Sequence, residues 1–168
     1  MAKEKSPIKL SELKKEYSKL NVMSTYKIED TDKIVKFYQR FDVKKIEELI
    51  KELYQDISYA KEKDIDFFNN DEEFIKYELF LIIKHFSHFK DEIGETFEEK
   101  IEAFNVLIST GLYDLFFDEI FEPSEVYEVL NKVGQVTENA MKLADEEINA
   151  RKEAQKLVKN KEILQAKK

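Results

Sequence analysis

From Asp42 onward, apolar residues recur at three- and four-residue spacing: Val43, Ile46, Leu49, Ile50, Leu53, Tyr54 and Ile57. This predicts an amphipathic helix to about Lys63, with Asp42 as its N-cap. Upstream, Ser6-Pro7 followed by Leu10, Leu13, Tyr17 and Leu20 predicts a short amphipathic helix. Between the two, residues 24–28 and 34–41 are rich in β-branched and aromatic side chains around Glu29-Asp30-Thr31-Asp32. A small hairpin within 21–41 is the preferred reading, against a helix over 32–40.

Beyond a connector at 64–70, with Asn70 or Asp71 available as a cap, the pattern changes. Phe74, Ile75, Tyr77, Leu79, Phe80, Leu81, Ile82, Ile83, Phe86 and Phe89 cover almost every direction around a helix axis. Such a helix is surrounded by others and should centre the fold. Gly94 ends the run, and Thr96-Phe97-Glu98-Glu99 has capping-box spacing ahead of a stripe formed by Phe97, Ile101, Phe104 and Ile108. Gly111 suits a left-handed helix end. A dense short helix over 112–121 follows, and Pro123-Ser124-Glu125 opens a last helix through Val126, Val129, Leu130, Val133 and Val136. Apolar spacing thins after Leu143, so residues 145–168 are expected to project or fray as a charged helix beyond a single helical domain over 1–144. The fold class expected is mainly α: one bundle of five to six helices with a small N-terminal hairpin.

Composition agrees. Among 168 residues there are only 3 Gly and 2 Pro, with 38% charged and 42% hydrophobic positions, which favours long helices over strands and turns. No Cys is present, which removes disulfides, thiolate metal sites and cysteine nucleophiles and fits a reducing cytoplasm. No uncharged apolar run of membrane-spanning length and no secretion signal appear. Charge is uneven. Residues 67–123 hold 4 Lys against 14 Asp or Glu and 11 of the 13 Phe. An acidic aromatic block of this kind would be repelled by phosphate backbones, so nucleic acid is not an expected partner. From Arg151 onward, 7 basic residues face only Glu153 and Glu162, the pattern of a solvated helix end or of a tail that touches an acidic partner.

Motifs for chemistry are sparse. Gly94, Gly111 and Gly134 are too scattered to cradle a nucleotide, and no cofactor is expected. His85 and His88, three apart with Glu78, Asp91 and Glu92 nearby, could ligate a divalent ion or serve acid–base chemistry. The plainer reading borders the core and leaves no metal site or catalytic residue. Asp114, Asp118, Glu119 and Glu122 read as a wet helix face rather than a paired-acid site. Residues 112–121 place seven large apolar side chains in ten positions, more than one side of a short helix can bury. The surplus, Tyr113, Phe117 and Phe121, either takes a partner's amphipathic helix or forms a second internal packing face.

The stretch 97–130, especially Leu107-Ile108-Ser109-Thr110-Gly111-Leu112-Tyr113-Asp114 and Ile120-Phe121-Glu122-Pro123-Ser124-Glu125-Val126, together with Phe80–Phe89, resembles the tail assembly chaperones of long-tailed bacteriophages and prophages of Gram-positive hosts. The resemblance covers about half the chain. It implies a non-enzymatic protein of the host cytoplasm that coats the tape measure protein while tail tube subunits polymerise around it, with the tube protein a further partner. No membrane or nucleic acid enters this reading, and self-association stays open. Leu112, Tyr113, Phe116, Phe117 and Phe121 are then the expected partner-binding residues. The alternatives are a helical adaptor or regulatory module with another client, or a metal-dependent enzyme using His85 and His88.

Overall fold

The computed structural model describes residues 6–137. The chain divides into two compact units, 1–129 and 130–168. In the second unit residues 130–137 are helical. The projecting helix expected over 145–168, its basic run and the domain end at 144 lie outside the described residues.

The first unit begins with α1 (Leu10–Leu20), followed by a hairpin of β1 (Met23–Lys27) and β2 (Ile34–Tyr38). The strands pair antiparallel from Met23 opposite Tyr38 to Lys27 opposite Ile34. Of the two readings of 21–41, the hairpin forms and the helix over 32–40 does not. Asp30 sits at φ 58 in the connecting turn, a left-handed position that Asp tolerates better than most residues.

Helix α2 (Val43–Glu62) starts where its cap dictates, the Asp42 carboxylate accepting the Lys44 N–H at 2.9 Å. In α3 (Asp71–Phe86), the Asn70 side chain accepts the Glu72 and Glu73 N–H groups. Every residue from Phe80 to Phe86 is buried, as expected of the central helix. It ends earlier than its apolar run. Ser87 is extended, its hydroxyl donating to the Ile83 carbonyl at 2.7 Å and accepting the Phe89 N–H. A 3-10 turn then covers His88–Asp91.

Helix α4 (Phe97–Ser109) carries the anticipated capping box, Thr96 accepting the Glu99 N–H and Glu99 the Thr96 N–H. Its buried face is Phe97, Lys100, Phe104 and Leu107, rotated one residue from the expected stripe, so Ile101 is half-buried and Ile108 exposed. Gly111, at φ 74, makes the left-handed break. The dense segment beyond it is one α turn, α5 (Leu112–Leu115), continued by a π turn over Phe116–Ile120. A sixth helix, α6, runs over 123–137.

Two aromatic clusters hold the first unit together. Phe67, Phe68, Tyr77, Phe97 and Phe104 pack ring to ring between the α2–α3 connector, α3 and α4. Phe41 stacks on Phe86 at 3.8 Å between centroids and meets Phe121 edge-on, with Phe116 and Phe37 completing the group. The second cluster ties the hairpin and its exit to the α5 region.

Candidate functional site

Helix α1 has the 3.6-residue apolar period of a packed helix, yet none of its residues is buried. Leu10, Leu13 and Tyr17 are 67%, 47% and 48% exposed, and Ile8 and Val22 beside the helix are exposed as well. The face lines one wall of a groove of about 710 Å³ with Leu13, Glu16, Tyr17, Lys19 and Leu20; Val22, Ser24, Gln39 and Arg40, from the end of the hairpin, line the rest. Its acids are already engaged. Glu12 accepts the Lys9 N–H at 3.0 Å, and Glu16 is paired with Lys19 at 2.7 Å, which lowers the Glu16 pKa. Arg40, across the groove, adds to the charge that acts on Glu16. The arrangement is an apolar strip, uncovered among the described residues, beside a paired acid and base.

A second feature is buried. At the junction of α2, α3 and α4, Lys100 reaches Asp56 at 2.5 Å and Glu52 at 3.1 Å, and Lys84 reaches Glu52 at 2.6 Å. His85 Nε2 lies 2.7 Å from Glu52, and the Tyr77 hydroxyl donates to Asp56 at 2.9 Å. Both lysines are almost fully buried. Burial by itself would raise the Glu52 pKa, but hydrogen bonds from His85 and Lys84 and the Lys100 charge outweigh it and hold the carboxyl far below its usual range. For Asp56 burial wins, aided by the Glu52 charge, and its pKa is raised despite Lys100 and Tyr77. The network floors a cleft of about 540 Å³ whose rim includes Glu48, Lys90, Glu95 and Glu98. Its charged groups hydrogen-bond to one another, so its evident work is to register three helices against each other. His85 Nδ1 is the one buried polar atom of the cleft with no hydrogen-bond partner among the described residues.

Sequence reasoning put His85 and His88 on one helical face, but the break at Ser87 separates them. His85 joins the cleft, whereas His88 Nδ1 lies 3.3 Å from both the backbone N–H and C=O of Lys36 in β2. Among the described residues no three His, Cys, Asp or Glu side chains converge as a metal site would require. Glu78, read beside these histidines, is instead buried with no ion pair or hydrogen bond among the described residues, and burial pushes its pKa up to about 7.

The residues expected to meet a partner are mostly core. Phe116 is fully buried, and Tyr113 and Phe121 nearly so. Tyr113 donates its hydroxyl to the Lys76 carbonyl at 3.1 Å and packs on Phe104, while Phe121 is covered by Phe37 and Phe41. The exposed-surplus reading therefore fails for Tyr113 and Phe121, because residues 37–41, remote in sequence, return to cover them. Leu112 and Phe117 remain half-exposed. The wet-face reading of Asp114, Asp118, Glu119 and Glu122 matches their exposure, with Glu119 accepting the Tyr26 hydroxyl.

The buried network escaped the sequence reading, yet it left a signal. Asp56 falls in register with Leu49, Leu53 and Ala60, and Lys100 with Phe97, Phe104 and Leu107. A charge inside an apolar stripe announces a buried partner of opposite sign.

Fold and surface together define a mainly helical protein with a small hairpin and one uncovered amphipathic helix. The chain belongs to the YomO family, whose family model matches residues 10–165. That name is of the phage or prophage type and fits a phage-associated origin. No curated protein and no solved structure matches the chain significantly. Among the described residues, no helix is long and apolar enough to cross a membrane.

Proposed function

We propose that this protein is a non-enzymatic, phage-associated binding factor of the tail assembly chaperone type, which holds a tape measure protein in the host cytoplasm while tail tube subunits assemble around it. The observation that carries the reading is α1: four turns of flanking and helical sequence expose Ile8, Leu10, Leu13, Tyr17 and Val22 without any covering element among the described residues. A surface of this kind is stable in water only at a cost in apolar exposure, and it matches the helix-in-groove mode of binding an amphipathic client. Two further points support it. Lys84, Lys100, Glu52 and Asp56 in the cleft of about 540 Å³ are paired with one another rather than left open to a substrate, and the resemblance over 97–130 points the same way.

Co-expression with a phage tape measure protein tests the reading. The expected outcome is a soluble complex that survives size-exclusion chromatography; a client that stays insoluble and unbound refutes the assignment.

A further inference from the structure

The hairpin is a two-stranded sheet, and its two edges differ. The Ile28 N–H donates to the Lys33 carbonyl at 3.1 Å, so alternation along the register aims the backbone groups of Ser24 and Tyr26 at β2 and those of Met23, Thr25 and Lys27 outward. On β2 the outer edge is covered. The Lys36 N–H and C=O both lie 3.3 Å from His88 Nδ1, and Phe37 bridges to Ser87. Among the described residues, no hydrogen bond from another element reaches the backbone of Met23, Thr25 or Lys27 on β1. This edge also lacks the usual guards against pairing. It has no Pro and no bulge, its register runs one to one, and Lys27 is its single charge.

We propose that β1 pairs antiparallel with β1 of a second copy of this chain, joining the two hairpins into one four-stranded sheet about a two-fold axis at Thr25. Antiparallel pairing is the arrangement in which a strand edge meets its own copy isologously. The registers that bring outward groups face to face are centred on Met23, Thr25 or Lys27, and charge selects among them. Centred on Lys27, two lysines stand directly opposite each other; centred on Met23, Lys27 faces Lys19, where the chain is already helical. Both are disfavoured. Centred on Thr25, Lys27 faces Met23, Ser24 faces Tyr26 and Val22 faces Ile28, so no like charges are opposed. Thr25 then meets Thr25, a β-branched pair suited to a strand, and both residues are exposed. The gain is structural as well, because a two-stranded sheet is marginal and added strands stabilise it. This pairing is independent of the chaperone reading.

Sedimentation equilibrium of the full chain tests the proposal and should show a monomer–dimer equilibrium. Thr25→Pro removes the central donor from both copies, while the hairpin itself does not use that N–H, so the fold is retained. The dimer dissociation constant should rise by about tenfold or more. Met23→Lys sets like charges opposite each other at both ends of the pairing and should also dissociate the dimer; adding Lys27→Glu should restore it. That rescue is specific to the register centred on Thr25. Because the chain has no Cys, Thr25→Cys supplies one thiol per copy, and paired Cα atoms about 5.5 Å apart allow a disulfide-linked dimer on oxidation. Lys36→Cys, on the covered edge, should stay unlinked. Should Thr25→Pro fail to fold by circular dichroism, the charge exchange and the cross-link decide. A chain that is monomeric at every concentration overturns the proposal. So does a dimer that Met23→Lys leaves unchanged, a charge exchange without rescue, or a monomeric chain whose amides 23, 25 and 27 become protected only when a tape measure protein binds.

Discussion

Residues 112–121 and α1 carry apolar side chains at comparable spacing and have opposite fates. In the first segment Tyr113, Phe116, Ile120 and Phe121 are buried, covered partly by Phe37 and Phe41 from the hairpin side. In α1 the corresponding positions Leu10, Leu13 and Tyr17 stay close to half exposed or more. Apolar density is the same kind of local signal in both, and the difference lies in what returns from elsewhere in the chain. Density measures how much surface a segment must bury; only tertiary neighbours decide whether it does. The exposed surface is therefore the less aromatic of the two segments.

The comparison breaks most easily at its buried end. Phe116→Ala removes a fully buried ring from the cluster of Phe89, Phe121 and their neighbours, and should lower unfolding free energy by about 3–5 kcal/mol in urea titrations. A loss near zero would mean that this segment is as loosely held as α1.

Next in size is the network under α3. Lys100→Met leaves Asp56 buried with only Tyr77 as a donor, and should cost about 3 kcal/mol. Adding Asp56→Leu should recover a large part of that cost, because the damage lies in the orphaned charge. Absence of recovery would show that the pair contributes directly rather than through mutual neutralisation.

Glu78 gives an effect of opposite sign. Its folded-state pKa of about 7 lies above the ordinary 4.5, so its favourable contribution is fully present below pH 4.5 and is lost as pH rises through 7. Glu78→Gln should stabilise the protein at pH 8 by about 2 kcal/mol and flatten the decline between those limits. A parallel pH profile for parent and variant would contradict the assignment of that decline to Glu78.

The smallest stability effect belongs to α1. Leu13→Ser with Tyr17→Ser should shift unfolding free energy by less than about 0.5 kcal/mol, the range of exposed substitutions, while client binding is lost. A shift of several kcal/mol would place α1 in the core and erase the contrast.

Features set by neighbouring residues were legible in the sequence: the Asp42 and Asn70 caps, the Thr96–Glu99 box, the break at Gly111 and the hairpin around Asp30. Each is decided within a few residues. Features that need remote partners were not. The apolar run 74–89 gave no hint that Ser87 would turn extended, because that residue also bridges to Phe37 in β2. The stripe through Ile101 and Ile108 was displaced by one position because Lys100 finds Glu52 and Asp56 on α2. Exposure was misjudged for the same reason: the rings of Tyr113 and Phe121 advertised themselves locally, whereas the exposure of α1 is a property of everything that does not pack on it among the described residues.

The central claim is that the partner binds at α1 and not at 112–121. Hydrogen exchange of backbone amides, measured for the chain alone and in its complex with the tape measure protein, tests this directly. New protection is expected across residues 10–22 and at 39–40, with amides 112–121 exchanging equally slowly in both states. Protection that appears at 112–121 while α1 exchanges as it does in the free protein would contradict the account.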